Sequence, residues 1–466
     1  MPSLFYLIKI TLWKKMQFDF SGLTRDRAVM VKVLFNTFGC KTNQYDSALL
    51  GQSLERSGFE LTGKLEQADW VVVNTCSVTK RGEDKACQWV RKVGREFPGV
   101  GIAVVGCSVE VSAGRFRELE GVGLLLGTEE KFRLGEVLRE RLERINGSGP
   151  ALEEQRGRIG LTGKYEGREI LSAHAERARA FVKIQDGCDN RCTYCIVPYA
   201  RGRSRSRPWE QIVAEARALE EAGHYEAVLT GIHIGGYGRD LAGRPSLSVL
   251  VEKVLAATDR IRLRLSSVEA TEVDSRLIEL LSRELRLCRH LHLPLQHGSA
   301  SVLARMGRKY NPEEYKAALD RVLDSLGHPG LGTDVIAGFP GESEKEFEEC
   351  FNFIAALPFT YLHVFPYSPR PGTPAALLAG RPPVAAVRER VRRMRELSKK
   401  KQENFLKEQL GSRLSVLHES RLSSGVSVCR ADNYVRAYHR GASPAGGFIL
   451  VAERTWRDGV WGRLEC

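Results

Sequence analysis

Short apolar runs separated by amphipathic stretches set the rhythm of the first third of the chain. Val31–Phe38, Trp70–Asn74, Ile102–Val105 and Val122–Leu126 are built largely from Val, Ile and Leu. Between them, Gln44–Ser57 and Arg81–Arg95 carry apolar residues at helical spacing. Buried strands alternating with helices predict a doubly wound parallel sheet. The rhythm returns at Phe181–Gln185, Ala227–Thr230, Ile261–Leu265, Leu291–Leu295, Thr333–Ala337 and Tyr361–Phe365. Six β/α units without a seventh or eighth predict a partial barrel, open on one side. Beyond a charged helical stretch, Val384–Leu410, the pattern changes. Leu414–His418, Val426–Cys429, Val435–Tyr438 and Phe448–Glu453 alternate between turns bearing Gly, Ser, Asn and Pro. That pattern predicts a small antiparallel β-barrel of the OB-like kind.

The chain is therefore read as α/β with three domains: residues 30–145, 177–405 and 406–466. Residues 146–176 hold Gly-Ser-Gly-Pro and mixed charge without periodicity, and read as a linker. Residues 1–29 read as a disordered arm or an upstream start, with Met30 as initiator. Phe5-Tyr-Leu-Ile has no basic stretch before it and no small-residue cleavage site after it, so it does not read as a signal peptide.

Composition narrows the class. With 466 residues and 42% hydrophobic content, the chain can bury several cores. No apolar run reaches the length of a membrane span. Seventy Lys and Arg against 57 Asp and Glu give a formal charge of +13, which suggests an anionic partner. Arg201, Arg203, Arg205 and Arg207 alternate, and Val384–Leu410 sets nine Lys/Arg against four Glu. A phosphate-following surface and a solvated helix face fit that segment equally well.

The chemistry sits on cysteine. Eleven cysteines in so long a chain are not the disulfide framework of a small secreted domain, and read as reduced, cytoplasmic thiols. Cys188, Cys192 and Cys195 stand in Asp186-Gly-Cys-Asp-Asn-Arg-Cys-Thr-Tyr-Cys-Ile. Three thiolates on one loop can hold three irons of a [4Fe–4S] cluster and leave the fourth open to a small molecule. The competing reading is a zinc knuckle or a partial disulfide framework, recruiting His174 or His224 from a distance. Cys40, Cys76 and Cys107 each follow an expected strand of the first domain, where open α/β sheets bind ligands. Helix N-termini at that edge favour an anionic cluster. These three are read as ligands of a second cluster. Cys87, Cys288, Cys350, Cys429 and Cys466 lack partners at ligand spacing and read as packing or surface residues.

The C-x3-C-x2-C loop, with Tyr194 before its last cysteine, resembles the signature of the radical S-adenosylmethionine (SAM) superfamily. The resemblance implies a (β/α)6 barrel, with SAM chelated at the open iron and cleaved to a 5′-deoxyadenosyl radical. It also implies SAM contacts at the strand ends, for which Tyr194, Gly231, Ser266, Glu269, Gln296 and Asp334 are the candidates. His233, Ser267 and His297 lie near the same ends. Gly338-Phe-Pro-Gly-Glu342 resembles the glycine motif after the fifth strand, and is equally readable as a simple turn. Ala431-Asp-Asn-Tyr-Val-Arg resembles the tyrosine motif of TRAM domains, which bind RNA. Tyr434, Arg436, Tyr438, His439 and Arg440 are the candidates there, with a core role open for the tyrosines.

Taken in this order, the three domains resemble the methylthiotransferases. Thr37-Phe-Gly-Cys-Lys-Thr-Asn-Gln-Tyr-Asp-Ser47 is most similar to the members acting on threonylcarbamoyladenosine in tRNA, with Phe38 in place of the usual Leu. The resemblance implies two [4Fe–4S] clusters, SAM, and 2-methylthiolation of a modified adenosine in the tRNA anticodon loop. It further implies an electron donor such as flavodoxin or ferredoxin, and a sulfur donor that the residues leave unidentified. A monomer is expected. The alternatives are a methylthiotransferase acting on isopentenyladenosine in tRNA or on a ribosomal protein aspartate, and a non-enzymatic Fe–S RNA-binding protein.

Overall fold

The computed structural model describes residues 30–144, 152–157, 159, 165, 170–171 and 179–465. The expected arm at 1–29, Cys466 and most of the 146–176 stretch lie outside the described residues.

The first domain is a six-stranded, all-parallel sheet. Its elements are β1 (Lys32–Thr37), α1 (Lys41–Arg56), β2 (Glu60–Leu61), β3 (Trp70–Thr75), α2 (Lys80–Glu96), β4 (Gly101–Gly106), α3 (Cys107–Ser112), β5 (Val122–Leu126), α4 (Leu134–Arg144) and β6 (Glu153–Gln155). All six residues of β3 are buried. A strand covered on both faces needs apolar side chains at every position, which is why Trp-Val-Val-Val reads as a run rather than an alternation. Val72 packs with Leu50 and Leu54 of α1 and Leu138 of α4 on one face. Val71 and Val73 pack with Ala86 and Val90 of α2 on the other. The strand order is β2-β1-β3-β4-β5-β6, so the winding reverses between β1 and β3. In open sheets of this kind ligands bind at the carboxyl ends of the strands flanking that reversal. β6 corrects the reading of 146–176 as linker throughout: Glu153–Gln155 pairs in parallel with Leu124–Leu126. A three-residue edge strand of charged and amide side chains carries no hydrophobic signal to find it by.

The second domain holds β7 (Arg179–Lys183), α5 (Val197–Arg201), α6 (Trp209–Glu221), β8 (Glu226–Thr230), α7 (Leu247–Ala257), β9 (Arg262–Leu265), α8 (Ser275–Arg283), β10 (His290–His292), α9 (Ala300–Arg305), α10 (Pro312–Leu326), β11 (Gly330–Ala337), α11 (Glu344–Ala356) and β12 (Tyr361–Pro366). β9-β8-β7 and β10-β11-β12 are two parallel triplets. The bridges Leu263↔Leu287 and Ser267↔His292 join them into one open arc. β10 is shorter than its apolar run because Pro294 has no N–H for the ladder. Gln296 then turns with a left-handed φ of 70°.

A 25-residue helix, α12 (Val384–Glu408), connects the last two domains. Val391 and Met394 pack into the barrel core, and Phe405 and Leu406 into the core of the final domain. That domain is a closed five-stranded barrel of β13 (Arg413–Arg421), β14 (Val426–Ala431), β15 (Arg436–Arg440), β16 (Gly447–Trp456) and β17 (Gly459–Leu464), in the order β13-β14-β15-β17-β16. It is not wholly antiparallel: β15 and β17 pair in parallel to close it. The barrel docks against the base of the second domain. Arg262 and Arg264 grip the buried Glu226 carboxylate at 2.6 and 2.9 Å. Their remaining N–H groups donate to the Arg430 and Asp432 carbonyls of the small barrel at 2.9 and 2.8 Å. Tyr434 stacks on His290 of β10 at 4.4 Å. No helix among the described residues is long and apolar enough to cross a membrane.

Candidate functional site: two cysteine triads at adjoining sheet edges

The Cys188–Cys195 loop leaves β7 through a two-residue strand, Gln185–Asp186. Gly187 takes a φ of 70°, and a Cβ there would lie 1.9 Å from the Arg203 carbonyl oxygen, so only glycine fits. The Gln185 side chain organises the turn. Its amide donates to the Asp186 and Gly187 carbonyls at 2.9 and 2.7 Å. Its oxygen accepts the Ile232 and His233 N–H groups after β8. On the far side, the Thr193 N–H donates to the Met306 carbonyl at 2.9 Å and its hydroxyl to that of Arg305 at 2.8 Å.

Donors point at the sulfurs. The Asn190 N–H reaches Cys188 Sγ at 3.4 Å, and Arg308 Nη1 reaches Cys192 Sγ at 3.3 Å. Burial pushes the Cys195 thiol up to about 12. Burial alone would lower the His233 imidazole, but Cys188 and Glu272 outweigh it and raise it to about 10. Thiols ringed by N–H and cationic donors suit a centre that binds sulfur as thiolate.

Of the expected SAM contacts, Tyr194 lies within this loop and Glu269 is tied to it through Arg308. Tyr194 packs against the cluster of Met306, Phe339 and Tyr367. Glu269 forms an ion pair with Arg308, the residue that donates to Cys192. Ser266 has a buried hydroxyl without a protein partner, which leaves it available to a ligand. Gly231 lies over the Gln185 amide, and Gln296 bridges to Val335. Asp334 is committed to a different group: it accepts from His363 Nδ1 at 3.2 Å and lies 3.3 Å from His292 Nε2. Burial would raise its carboxyl, but the two imidazoles hold it well below the usual range. An ionised carboxylate between two rings can hold a proton or accept from a heterocycle. The Gly338–Glu342 motif is a turn pinned by the Glu342 carboxylate, which accepts the Phe339 N–H at 2.8 Å.

The second triad gathers at the winding reversal. Cys40 is the N-cap of α1, Cys76 follows β3, and Cys107 opens α3 directly after β4. Glycines let them approach. A Cβ at Gly39 would lie 2.6 Å from Cys76 Cβ, and one at Gly106 2.6 Å from Asn74 Oδ1. Burial, then the neighbouring Cys40 and Cys107 sulfurs, push the Cys76 thiol up to about 12. Arg201 Nε donates to Cys107 Sγ at 3.2 Å. All six thiols of the two triads are free of disulfides. Three sulfurs from three strand ends, with a buried guanidinium beside them, fit an anionic cluster. Cys87, Cys288, Cys350 and Cys429 are instead buried in the packed interior.

A buried network welds the two edges together. Asp46 Oδ2 accepts from Lys131 Nζ and Oδ1 from Lys183 Nζ, both at 2.6 Å. Lys183 also reaches Asp186 at 3.1 Å, and Arg201 Nη1 donates to both Asp186 oxygens at 2.9 Å. Sequence reading missed this role for Arg201 and Arg308. For Arg201 the alternation of arginines after the loop was the available signal, and it pointed outward to phosphates, whereas Arg201, Arg205 and Arg207 are buried; Arg308 had no local signal. The TRAM-like candidates also turn inward: Tyr434 is spent on docking, and Tyr438 donates to Asp458. Arg440 alone of the five is exposed.

Beside the seam of the two domains runs a groove of about 800 Å³, lined among others by Arg81, Tyr367, Arg381, Arg388, Arg392 and Arg395.

Two family models and several known proteins match the chain. Residues 182–354 match the Radical SAM superfamily, and residues 32–127 match Uncharacterized protein family UPF0004. The threonylcarbamoyladenosine tRNA methylthiotransferase MtaB of Bacillus subtilis (strain 168) is 37% identical over 90% of this chain and 93% of its own length. That of Aquifex aeolicus (strain VF5) is 34% identical over 90% and 100%. The tRNA-2-methylthio-N(6)-dimethylallyladenosine synthase of Moorella thermoacetica (strain ATCC 39073 / JCM 9320) is 36% identical over 78% and 81%. Among solved structures, the radical S-adenosylmethionine methyltransferase TsrM of Kitasatospora setae superposes with a TM-score of 0.55 at 16% identity, over 75% of this chain and 74% of that one. It shares the fold.

Proposed function

The chain belongs to the radical SAM methylthiotransferases, of the MtaB type, and on that premise we propose that it adds a 2-methylthio group to N6-threonylcarbamoyladenosine beside the anticodon of tRNA, using two [4Fe–4S] clusters. It is an enzyme that uses SAM and an iron–sulfur cluster. The observation that carries the two-cluster reading is the pairing of two cysteine triads, each at the carboxyl edge of its own parallel sheet, through one arginine.

Bound at the Cys188–Cys195 loop, SAM and its cluster supply radical chemistry able to reach an unactivated aromatic C–H. The rest is the work of side chains. Cys188, Cys192 and Cys195 would hold three irons of that cluster and leave the fourth iron open to the SAM amino and carboxylate groups. The Ser266 hydroxyl and the Glu269–Arg308 pair offer polar contacts at the barrel mouth. Tyr194, Phe339 and Tyr367 wall off water. Cys40, Cys76 and Cys107 would hold the second cluster, which would supply a place for the transferred sulfur. The basic groove beside the seam would follow the RNA backbone, since exposed guanidinia along one channel neutralise phosphates without reading sequence.

Dimethylallyladenosine is the second substrate to weigh, since the Moorella relative is nearly as similar as the Bacillus one. The deciding experiment incubates anaerobically reconstituted protein with SAM, dithionite and tRNA carrying either modified adenosine. Digestion and mass spectrometry then read the methylthio nucleoside and 5′-deoxyadenosine. Product on the threonylcarbamoyl substrate alone is expected. Product only on the dimethylallyl substrate would move the assignment, and 5′-deoxyadenosine without either nucleoside would remove tRNA methylthiolation.

A further inference from the structure

Arg201 touches both candidate cluster loops at once. Its Nε donates to Cys107 Sγ at 3.2 Å, in the first domain. Its Nη1 donates to the two oxygens of Asp186, in the second. Asp186 Oδ1 in turn accepts the Gly187 N–H at 2.8 Å, one residue before Cys188. The third arm, Nη2, donates to Asn43 Oδ1 at 2.5 Å, in the first turn of the helix that Cys40 caps. The side chain is almost fully buried, so water contributes nothing to these bonds.

The charges are uneven. Five directly bonded, buried groups carry three positive charges, Lys131, Lys183 and Arg201, against two carboxylates, Asp46 and Asp186. A buried unpaired charge is costly, so an anion is expected beside the network. Cys107 is where Arg201 points. A [4Fe–4S] core of charge 2+ on three thiolates carries a net charge of about −1, which closes the balance.

We propose that Arg201 is a positioning residue that links the two clusters, donating to the Cys107 sulfur so as to raise the reduction potential of the second cluster while holding the radical SAM loop through Asp186. The inference rests on the two-cluster reading above. Its physical basis is that hydrogen bonds and positive charge at cluster sulfurs favour the reduced, more negative state. Because each domain supplies one partner, the arginine also fixes the spacing between the two cysteine edges. Replacement by Gln leaves two cations facing two carboxylates, so the network itself stays neutral.

The test uses the full chain with Cys188, Cys192 and Cys195 replaced by Ala, reconstituted anaerobically with iron and sulfide, so that only the second cluster gives a signal. In protein labelled with 15N-arginine, the reduced cluster should show a hyperfine coupling to 15N by pulsed electron paramagnetic resonance. That readout needs no change at Arg201. In a redox titration, Arg201→Gln should make reduction about tenfold less favourable, a fall of about 59 mV for a one-electron couple. Arg201→Lys, which keeps the charge and loses the forked geometry, should fall by less. A retained cluster without 15N coupling, or with an unshifted potential in Arg201→Gln, overturns the inference and leaves the two-cluster reading standing. A chain that retains no cluster once the Cys188 triad is gone overturns both.

Discussion

Replacing Asp46 with Asn tests the joint between the two domains. Asp46 is fully buried, and each oxygen holds a lysine at 2.6 Å, Lys131 from its own domain and Lys183 from β7 of the next. Burial would raise its carboxyl, but Lys131, Lys183 and Arg201 hold it well below the usual range, so it is ionised at neutral pH. Asn is nearly the same shape, but it loses the charge and sets an N–H donor against one of the two lysines. Three cations would then face one carboxylate. Breaking a buried pair from one side costs about 3–5 kcal/mol, because the partner is left charged and dry. At about 1.4 kcal/mol per decade, that is roughly a 10²- to 4 × 10³-fold rise in local opening. Hydrogen exchange read by mass spectrometry on peptides covering residues 41–56 and 179–186 measures that opening without requiring two-state unfolding. Exchange should quicken by this factor in both peptides together, since one carboxylate serves both domains. Glu55→Gln, on the exposed face of the same helix, should stay within about 0.5 kcal/mol. An Asp46→Asn chain that exchanges less than about fivefold faster, or that loosens only one peptide, would refute the reasoning.

Three further outcomes are expected. At the base of the barrel, burial would raise the Glu226 carboxyl, but Arg264 and Arg262 overcome it and hold it below its ordinary 4.5. Its stabilisation of the docked C-terminal barrel is therefore complete above about pH 4.5 and is lost as pH falls through the lower folded value. Fluorescence of Trp456 and Trp461 should report this acid loosening, and Glu226→Gln should be loose already at pH 7 and flat across that window. Gly94 lies in the last turn of α2, where Ala is ordinarily the better helix former by up to about 1 kcal/mol. A Cβ there would lie 2.3 Å from the Glu120 carbonyl oxygen, so Gly94→Ala should instead destabilise by about 1–3 kcal/mol in urea unfolding. Finally, Arg388, Arg392 and Arg395 changed together to Glu should weaken tRNA binding and flatten its salt dependence. The log–log slope should fall by about 0.7 for each phosphate that is no longer neutralised, read by filter binding across salt concentrations.

The positions of both cysteine triads were legible because strand ends are. A buried parallel strand is a run of Val and Leu, and a cysteine just past it must stand on the ligand edge whatever the rest of the fold does. Elements without that signal were lost. β6 is Glu-Glu-Gln and exists only because Leu124–Leu126 offers an edge, and β10 ends early because one proline interrupts an apolar run. The motif Thr37–Ser47 shows a different limit. Asn43 donates to the Phe38 and Thr75 carbonyls, Tyr45 to Glu215 of the neighbouring domain, and Asp46 joins the buried network. These residues hold the domains together, so the motif identifies relatives by their architecture and says little of the base they read. Tyr434 likewise looked available to RNA, yet it stacks on a histidine 144 positions earlier in the chain. Arg201 and Arg308 act through partners 94 and 116 residues away, which no local pattern encodes.

Two triads with separate duties are the central claim. The most direct measurement runs the SAM, dithionite and modified-tRNA reaction with each triad removed in turn, scoring 5′-deoxyadenosine and the methylthio nucleoside side by side. Chain lacking Cys188, Cys192 and Cys195 should make neither product. Chain lacking Cys40, Cys76 and Cys107 should still release 5′-deoxyadenosine while leaving the nucleoside unmodified. Methylthio nucleoside from the second variant would contradict the claim, since the triad assigned to the sulfur would then be dispensable.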